Sequence, residues 1–137
     1  SAASDVYKRQ VDYQPISAMP SIYAASDLFY VGQSPDAAAD GIPSKIYRIL
    51  GNKKPILAVT DEQSDLAVFV RKANAGFVFN DISPKALADE IVKIASDSNR
   101  LKTCGVSGCT FVAGKFGREA ISKAYLNLLN ELQNSRV

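Results

Sequence analysis

Residues suited to binding phosphate stand together in the sequence Asp40-Gly41-Ile42-Pro43-Ser44-Lys45. Proline followed by serine and lysine is typical of the first turn of a helix, where backbone N–H groups lack a partner within the helix. The N–H groups of Ile42, Ser44 and Lys45, the helix dipole and the Lys45 ammonium would together attract an anion. The segment therefore predicts a diphosphate-binding turn. The alternative is a helix start chosen for capping alone.

The composition excludes several other kinds of chemistry. The 137 residues include no histidine, which removes a histidine base, a Ser-His pair and every histidine metal site. Cys104 and Cys109 are too few for a four-ligand zinc site and are interpreted as small, half-buried residues of a reduced, cytoplasmic protein, with a redox pair as the alternative. A net charge of +2 and scattered basic residues do not indicate a nucleic-acid partner. We expect no metal and no cofactor.

Three unbroken apolar segments predict strands that are buried on both faces. They are Leu28–Gly32, Pro55–Val59 and Ala75–Phe79. Helices are predicted between and after them, at Met19–Ser26, Pro43–Leu50, from a Thr60-Asp61 cap to Lys72, from the Ser83-Pro84 cap onward, and at Arg118–Gln133. Residues 99–116 contain three glycines and are expected to be less regular. The last helix carries an apolar face of Ile121, Tyr125, Leu128 and Leu132.

The alternation of helices and strands predicts the α/β class, with a Rossmann-like, doubly wound parallel sheet covered on both faces. Ligands bind beyond the carboxyl ends of the strands in such sheets. Only the first predicted strand leads into a long loop of small residues that is followed directly by a helix start. The predicted elements therefore place the 40–45 segment where a ligand is expected.

Residues 1–10 stand apart from this pattern, because they show no apolar period and no turn that leads into the residues that follow. All ten resemble the in-frame translation of a transposase-type sequencing adaptor. This resemblance implies a non-native segment at 1–10, with the native domain at 11–137 and more protein upstream. A genuine polar linker is the alternative.

Five segments in register resemble the C-terminal part of retaining, family-four-type glycosyltransferases of the GT-B fold. The segments are Met19–Leu28 ("lyaaaDl"), Asp40–Lys45 ("EGxPSK"), Lys54–Ala58 ("GkPvia"), Ala73–Val78 ("eagaGlvv") and Ile82–Ala88 ("dpealA"). The resemblance extends over Met19–Leu132, which is nearly all of 11–137. The resemblance implies that this region is part of the C-terminal, nucleotide-sugar-binding domain of such an enzyme.

The resemblance also implies roles for single residues. Asp40 would be the catalytic carboxylate that faces the donor sugar, and Gly41 to Lys45 would hold the diphosphate. The family carries a second glutamate eight residues after the first, where this chain has Arg48. A guanidinium cannot accept hydrogen bonds from ribose hydroxyls. Arg48 therefore implies either that the ribose is recognised differently or that the chain is in a subgroup without the second glutamate, which resembles bacterial amino-sugar transferases. The alternative is that Arg48 is a solvated surface charge.

Ser64 and Asp65 are weaker donor-binding candidates, since they fall where the family approaches its donor. The other interpretation of Asp65, shared with Asp61 and Glu62, is a carboxylate of the helix cap or the helix surface. The expected donor is a nucleotide-diphosphate sugar, most simply of the uridine type, and the acceptor is a glycan or a lipid-linked sugar. The family's acceptor-binding N-terminal domain would lie upstream, so this region alone should not catalyse transfer. The expected location is cytoplasmic, with peripheral attachment to the inner face of the membrane as a variant.

Two other functions fit parts of the pattern. A nucleotide-sugar epimerase of the same fold would share the donor and is separated only by its product. A non-enzymatic flavodoxin-like module, such as a phospho-acceptor receiver, would also place lysine and proline before a strand, as at Lys54-Pro55. A receiver requires acidic residues at the strand ends, where this chain has Gly32-Gln33.

Overall fold

The computed structural model describes residues 10–34 and 41–135 of the chain. A short 3-10 turn at Ile16–Ala18 precedes the regular elements. These are α1 (Met19–Ala25), β1 (Phe29–Gly32), α2 (Lys45–Gly51), β2 (Ile56–Val59), α3 (Asp65–Lys72), β3 (Gly76–Phe79), α4 (Pro84–Ser96), α5 (Ser98–Phe116) and α6 (Arg118–Asn134). The adaptor-like segment, except Gln10, lies outside the described residues, and so does Asp40 with most of its loop.

The three strands form one parallel sheet in the order β1-β2-β3. Phe29 pairs with Ile56, which in turn pairs with Gly76. Each strand is followed by a helix before the next strand begins, as parallel pairing requires. The predictions of an α/β chain and of a parallel sheet are confirmed.

Side chains alternate between the two faces of the sheet, and each face has its own apolar cluster. Val31, Ile56 and Ala58 pack with α2, α3 and the second half of α5. Leu57 and Phe77 lie on the opposite face with Ile94 of α4 and Cys104 of α5. Helices therefore contact both faces of the described sheet, and β2 in the centre is buried almost throughout, as predicted.

Burial of β1 on both faces was a wrong prediction. Val31 is fully buried, but Tyr30 on the opposite face is 59% exposed. β1 is an edge strand of the described sheet, and the cluster on the Tyr30 face is built on β2 and β3. An apolar segment of strand length does not reveal whether its strand lies at the centre or at the edge of a sheet.

The prediction of irregular structure at 99–116 is also wrong, because α5 is a continuous helix of 19 residues. Two of its glycines face the body of the protein. Gly105 packs on the carbonyl of Lys53, and a Cβ at Gly108 would lie 2.7 Å from Leu50 and 2.9 Å from Ala75. Glycine lowers helix propensity, but here it allows α5 to pack closely on α2 and on the segments that precede β2 and β3, which offsets this cost.

Of the five predicted helix starts, those at Met19, Pro84 and Arg118 are confirmed and the other two are displaced. Ser83 caps α4 by accepting a hydrogen bond from the Ala86 N–H, with Pro84 in the first turn. The Thr60-Asp61 cap is wrong: α3 starts at Asp65, and its N-cap is Ser64. Helix α2 starts at Lys45 rather than Pro43, with its predicted face of Ile46, Ile49 and Leu50 buried.

Helix α6 forms over the predicted residues, but none of its residues is buried. Ile121 and Tyr125 on its predicted apolar face are 39% and 66% exposed. The predicted apolar face of this helix is therefore not buried among the described residues. No helix in residues 10–34 and 41–135 has both the length and the apolar character needed to span a membrane.

Candidate functional site

Polar residues follow each strand at the carboxyl edge of the sheet. Gln33 follows β1, Thr60 follows β2 and Asn80 follows β3. The Gln33 N–H donates to Val59 O at 3.0 Å, and the Thr60 N–H donates to the carbonyl of Phe79 at 3.0 Å. These bonds extend the parallel ladder by one residue and hold Gln33 and Thr60 rigidly at the edge where ligands of such sheets bind.

The segment Gly41–Lys45, called the phosphate turn below, connects this edge to α2. Gly41 has a φ of +84°, and a Cβ there would meet nothing within 4 Å. The conformation, not crowding, is therefore what favours glycine at this position. Ile42 is half-buried and packs against the cluster around α2 and α3, whereas Ser44 and Lys45 are exposed. The turn thus has an apolar inner side and a polar outer side.

At the start of α2, several N–H groups have no partner among the described residues. Ser44 is the N-cap but already has helical angles, and its side chain makes no capping bond. The Ile46 N–H donates to Pro43 O at 3.1 Å, and the Tyr47 N–H donates to the carbonyl of Ser44 at 3.3 Å. No described residue accepts a hydrogen bond from the N–H of the three residues expected to meet phosphate, Ile42, Ser44 and Lys45.

A chain of side-chain hydrogen bonds joins the phosphate turn to the ends of β1 and β2 and to α3. Gln33 Nε2 donates to Gly41 O at 3.1 Å, and Thr60 Oγ1 lies 3.0 Å from Gln33 Oε1. Thr60 Oγ1 also lies 3.0 Å from Ser64 Oγ, which accepts from the Ala67 N–H at 3.1 Å. Thr60 and Ser64 are buried, with 3% and 6% exposure. Buried hydroxyls must find partners, and this chain supplies them.

The predicted site residues have different positions. Gly41 to Lys45 lie together at the carboxyl edge, and Arg48 is exposed one turn further along α2, three residues after Lys45 and so on a neighbouring part of its surface. Ser64 lies in the hydrogen-bond chain as the cap of α3, and Asp65 is exposed in the first turn of that helix. Asp40 is outside the described residues. The donor-binding roles of all these residues stay predictions.

Neither a protein-family model nor a curated protein nor a solved structure matches this chain.

Gln33 and Thr60 are the residues of this site that sequence reasoning missed. The sequence placed Gln33 at a strand end but gave it no role, and it assigned Thr60 to a helix cap. The available signal was the position of two hydrogen-bonding side chains directly after neighbouring buried strands. Parallel strands bring such residues to one edge, so their proximity could have been inferred.

A groove of about 400 Å³ lies elsewhere, between β3 and the adjoining ends of α4 and α5. The Arg100 guanidinium stacks over the Phe77 ring at 4.7 Å from its centroid. Lys93 donates to Glu90 Oε1 at 2.6 Å, and this hydrogen bond, with the charge of Glu90, raises the pKa of Lys93. The charged residues of this groove already contact one another or an aromatic ring.

A smaller groove of about 230 Å³ lies near the amino ends of the strands, between Asp27, Lys53, Lys54 and Lys102. Lys54 Nζ donates to the carbonyl of Ala24 at 3.3 Å. Within the described residues, no three or more histidine, cysteine, aspartate or glutamate side chains are grouped to hold a metal ion. The phosphate turn therefore remains the strongest candidate site.

Proposed function

We propose that this chain is the donor-binding part of a retaining glycosyltransferase with a GT-B fold, in which the parallel sheet belongs to a doubly wound domain. One observation carries the proposal. At the carboxyl edge of the sheet, the phosphate turn has three N–H groups without a described partner, beside the exposed Lys45. The location, the donors and the charge are what a diphosphate requires.

The phosphates would be bound by backbone amides and by one full charge. Amides at a helix start donate hydrogen bonds without losing side-chain entropy, and Lys45 adds a charge-assisted bond. The glycine at position 41 presents no side chain on the outer side of the turn, which lets a ligand approach the backbone. Ile42 supports the turn from the inner side through its contact with the core.

In the proposed reaction, the bond between the anomeric carbon and the nucleotide diphosphate breaks, and the same carbon forms a bond to the oxygen of an acceptor hydroxyl. The hydroxyl proton passes to the departing diphosphate. Charge develops on the departing diphosphate, so fixed N–H donors and Lys45 would stabilise the transition state. The resemblance assigns Asp40 to the donor sugar. The acceptor, a glycan or lipid-linked sugar, would bind to a further, N-terminal domain of the enzyme.

Titration of the chain with uridine diphosphate, a uridine-diphosphate sugar and inorganic diphosphate tests this proposal. Calorimetry or amide NMR shifts should show binding at residues 41–46. Lys45→Ala should weaken it about 10- to 100-fold, the cost of a lost charge-assisted bond. Lys45→Arg should retain most of the affinity, and Lys85→Ala, an exposed lysine on α4, should change nothing. The proposal fails if none of the three ligands binds, or if Lys45→Ala leaves their affinity unchanged.

A further inference from the structure

Helix α6 stands clear of the rest of the described protein along most of its length. It packs against α5, which precedes it, but every residue from Ile121 to Ser135 is exposed. Isolated helices of this length are only marginally stable in water, and most helices in proteins are stabilised by the packing of an apolar face. Helix α6 has such a face, and the described residues leave it open to solvent.

The apolar face has the spacing of a helix that packs against another helix. Ile121, Tyr125, Leu128 and Leu132 are separated by four, three and four residues, so they lie within an arc of about 60° on the helix surface. Alternating spacings of three and four residues are typical of the seam between two helices. Leu129 adjoins this seam and is 55% exposed. These five residues are called the α6 stripe below.

The charges of α6 do not suit a lipid surface. Arg118 and Lys123 are balanced by Glu119 and Glu131, and the other polar residues of the helix are asparagine, serine and glutamine. Helices that lie on a membrane carry many lysine and arginine residues opposite their apolar face. The α6 stripe therefore fits an apolar protein surface rather than a lipid surface.

The α6 stripe is complementary to a second copy of itself. The spacing of four, three and four residues is the same in both directions, so two antiparallel copies can align all of these large side chains. Ile121 then lies opposite the partner's Leu132, and Tyr125 lies opposite the partner's Leu128. Twofold symmetry repeats both contacts, because the same patch is used on each copy.

Arg118 favours the antiparallel over the parallel arrangement. It lies seven residues before Tyr125, and therefore at the amino end of the same seam. In a parallel pair the two Arg118 side chains would meet, and their like charges would repel each other. In an antiparallel pair Arg118 lies opposite the partner's Ser135, which carries no charge.

The exposed area of the α6 stripe is sufficient for a weak but specific dimer. Its five side chains are 39–66% exposed and offer on the order of 500 Å² per copy, so that two copies would bury about 1,000 Å² in total. This area is near the lower limit for a specific interface between proteins and is well below that of permanent dimers. The dimer should therefore be in equilibrium with the monomer.

We propose that α6 is a dimerisation helix whose stripe packs antiparallel on the stripe of a second copy of this chain. The dissociation constant should be on the order of 10 µM, as for a small apolar interface. The proposal does not rest on the proposed function, because the α6 stripe shares no residue with the phosphate turn.

Three variants of the 137-residue chain test the α6 stripe. Leu128→Gln and Tyr125→Gln each change one side of the central contact, which occurs twice in the dimer. Leu126→Gln is the matched control, because Leu126 is 60% exposed on the same helix but lies about 100° around the helix from Tyr125, outside the stripe. Glutamine is a good helix former and all three positions are exposed, so the fold should be retained, which circular dichroism checks.

Sedimentation of each form over a concentration range from about 1 to about 200 µM measures the dissociation constant. Leu128→Gln and Tyr125→Gln should raise it at least about tenfold, and Leu126→Gln less than about twofold. A chain that stays monomeric at the highest concentration would overturn the proposal, and so would a mass that rises beyond that of the dimer. Dimerisation that both stripe variants leave unchanged would place the interface elsewhere. Monomeric chain that binds phosphatidylglycerol vesicles through the same residues would assign the stripe to a lipid surface instead.

The direction of the two helices is measured with a spin label on Asn134→Cys, in a chain in which the half-exposed Cys109 is replaced by serine. In the antiparallel dimer Asn134 lies opposite the partner's Glu119. The two labelled positions are then about 25 Å apart, since a helix rises about 1.5 Å per residue. A parallel dimer would place them about 10 Å apart. The shorter distance in a dimer would overturn the antiparallel arrangement.

Discussion

Gly105 on α5 lies directly against the backbone of Lys53, so that a Cβ at position 105 would collide with the Lys53 carbonyl oxygen. The contact is between two backbones, and a backbone cannot move aside as the end of a flexible side chain can. Gly105 therefore allows α5 to pack closely on the segment between α2 and β2. Gly114 in the same helix has nothing within 4 Å of its Cβ position.

This pair of glycines gives a matched test of helix packing. Gly105→Ala should lower the free energy of unfolding by about 2–4 kcal/mol, because α5 must move away from the segment between α2 and β2. Gly114→Ala should raise it by about 0.5–1 kcal/mol, since alanine is the better helix former and meets no neighbour. Urea unfolding of the two variants measures both effects. Equal effects of the two substitutions would show that α5 does not pack on Lys53 in solution.

Two serine caps differ in burial and should differ in their effect on stability. Ser64 is buried, caps α3 and bonds to Thr60, whereas Ser83 is exposed and caps α4 through one bond of 3.3 Å. Ser64→Ala should cost about 2–3 kcal/mol, because it removes the cap and leaves a buried hydroxyl without one partner. Ser83→Ala should cost about 0.5–1 kcal/mol. Thermal unfolding measures the loss of stability in both variants. A larger loss in Ser83→Ala than in Ser64→Ala would contradict the burial of Ser64.

The two cysteines should react with alkylating agents at different rates. Cys104 is buried, and burial raises the pKa of its thiol against the opposing effect of the Arg100 charge. Cys109 is half-exposed, and its thiol makes only a long hydrogen bond, of 3.8 Å, to the carbonyl oxygen of Gly51. Because the thiolate is the reactive form, iodoacetamide should modify Cys109 at least about tenfold faster in the folded chain. Peptide mass spectrometry measures the rates, and urea should remove the difference.

The same burial of Cys104 predicts a dependence of stability on pH. The pKa of this thiol is higher in the folded chain than the ordinary value of 9.0, so the folded state holds the proton more tightly. Its contribution to the free energy of unfolding is fully present below pH 9.0 and is lost as the pH rises through the folded value. In Cys104→Ala, the free energy of unfolding should depend less on pH in the range between 9.0 and the folded value. If the free energy of unfolding depended on alkaline pH equally in the variant and the original chain, the raised pKa of the Cys104 thiol would be contradicted.

We expect Arg48 to contact the phosphates of the bound ligand rather than its ribose. It is exposed near Lys45 on α2, and its guanidinium can donate but not accept. We expect Arg48→Ala to lower the affinity for uridine diphosphate and for inorganic diphosphate equally, by about 2- to 5-fold, as for the loss of an exposed charge. Lys72→Ala at the far end of α3 is the control. If Arg48→Ala lowered the affinity for uridine diphosphate but not for inorganic diphosphate, Arg48 would instead contact the ribose.

The sequence by itself determined the elements whose signals are local. The apolar run at Pro55–Val59 predicted β2, the Ser83-Pro84 pair predicted the start of α4, and the spacing of Ile46, Ile49 and Leu50 predicted the buried face of α2. The position of the phosphate turn at a strand end also followed from the sequence. Each of these depends on residues adjacent along the chain, which act through backbone geometry and side-chain periodicity.

The tertiary structure decided what depends on contacts between distant residues. The glycines predicted irregular structure at 99–116, yet close packing of Gly105 on Lys53 accompanies a continuous α5. Tyr30 is exposed because of its place at the sheet edge, and Thr60 contacts Gln33 and Ser64 instead of capping a helix. Local propensities amount to tenths of a kcal/mol per residue, so burial and buried hydrogen bonds override them wherever the fold brings distant residues together.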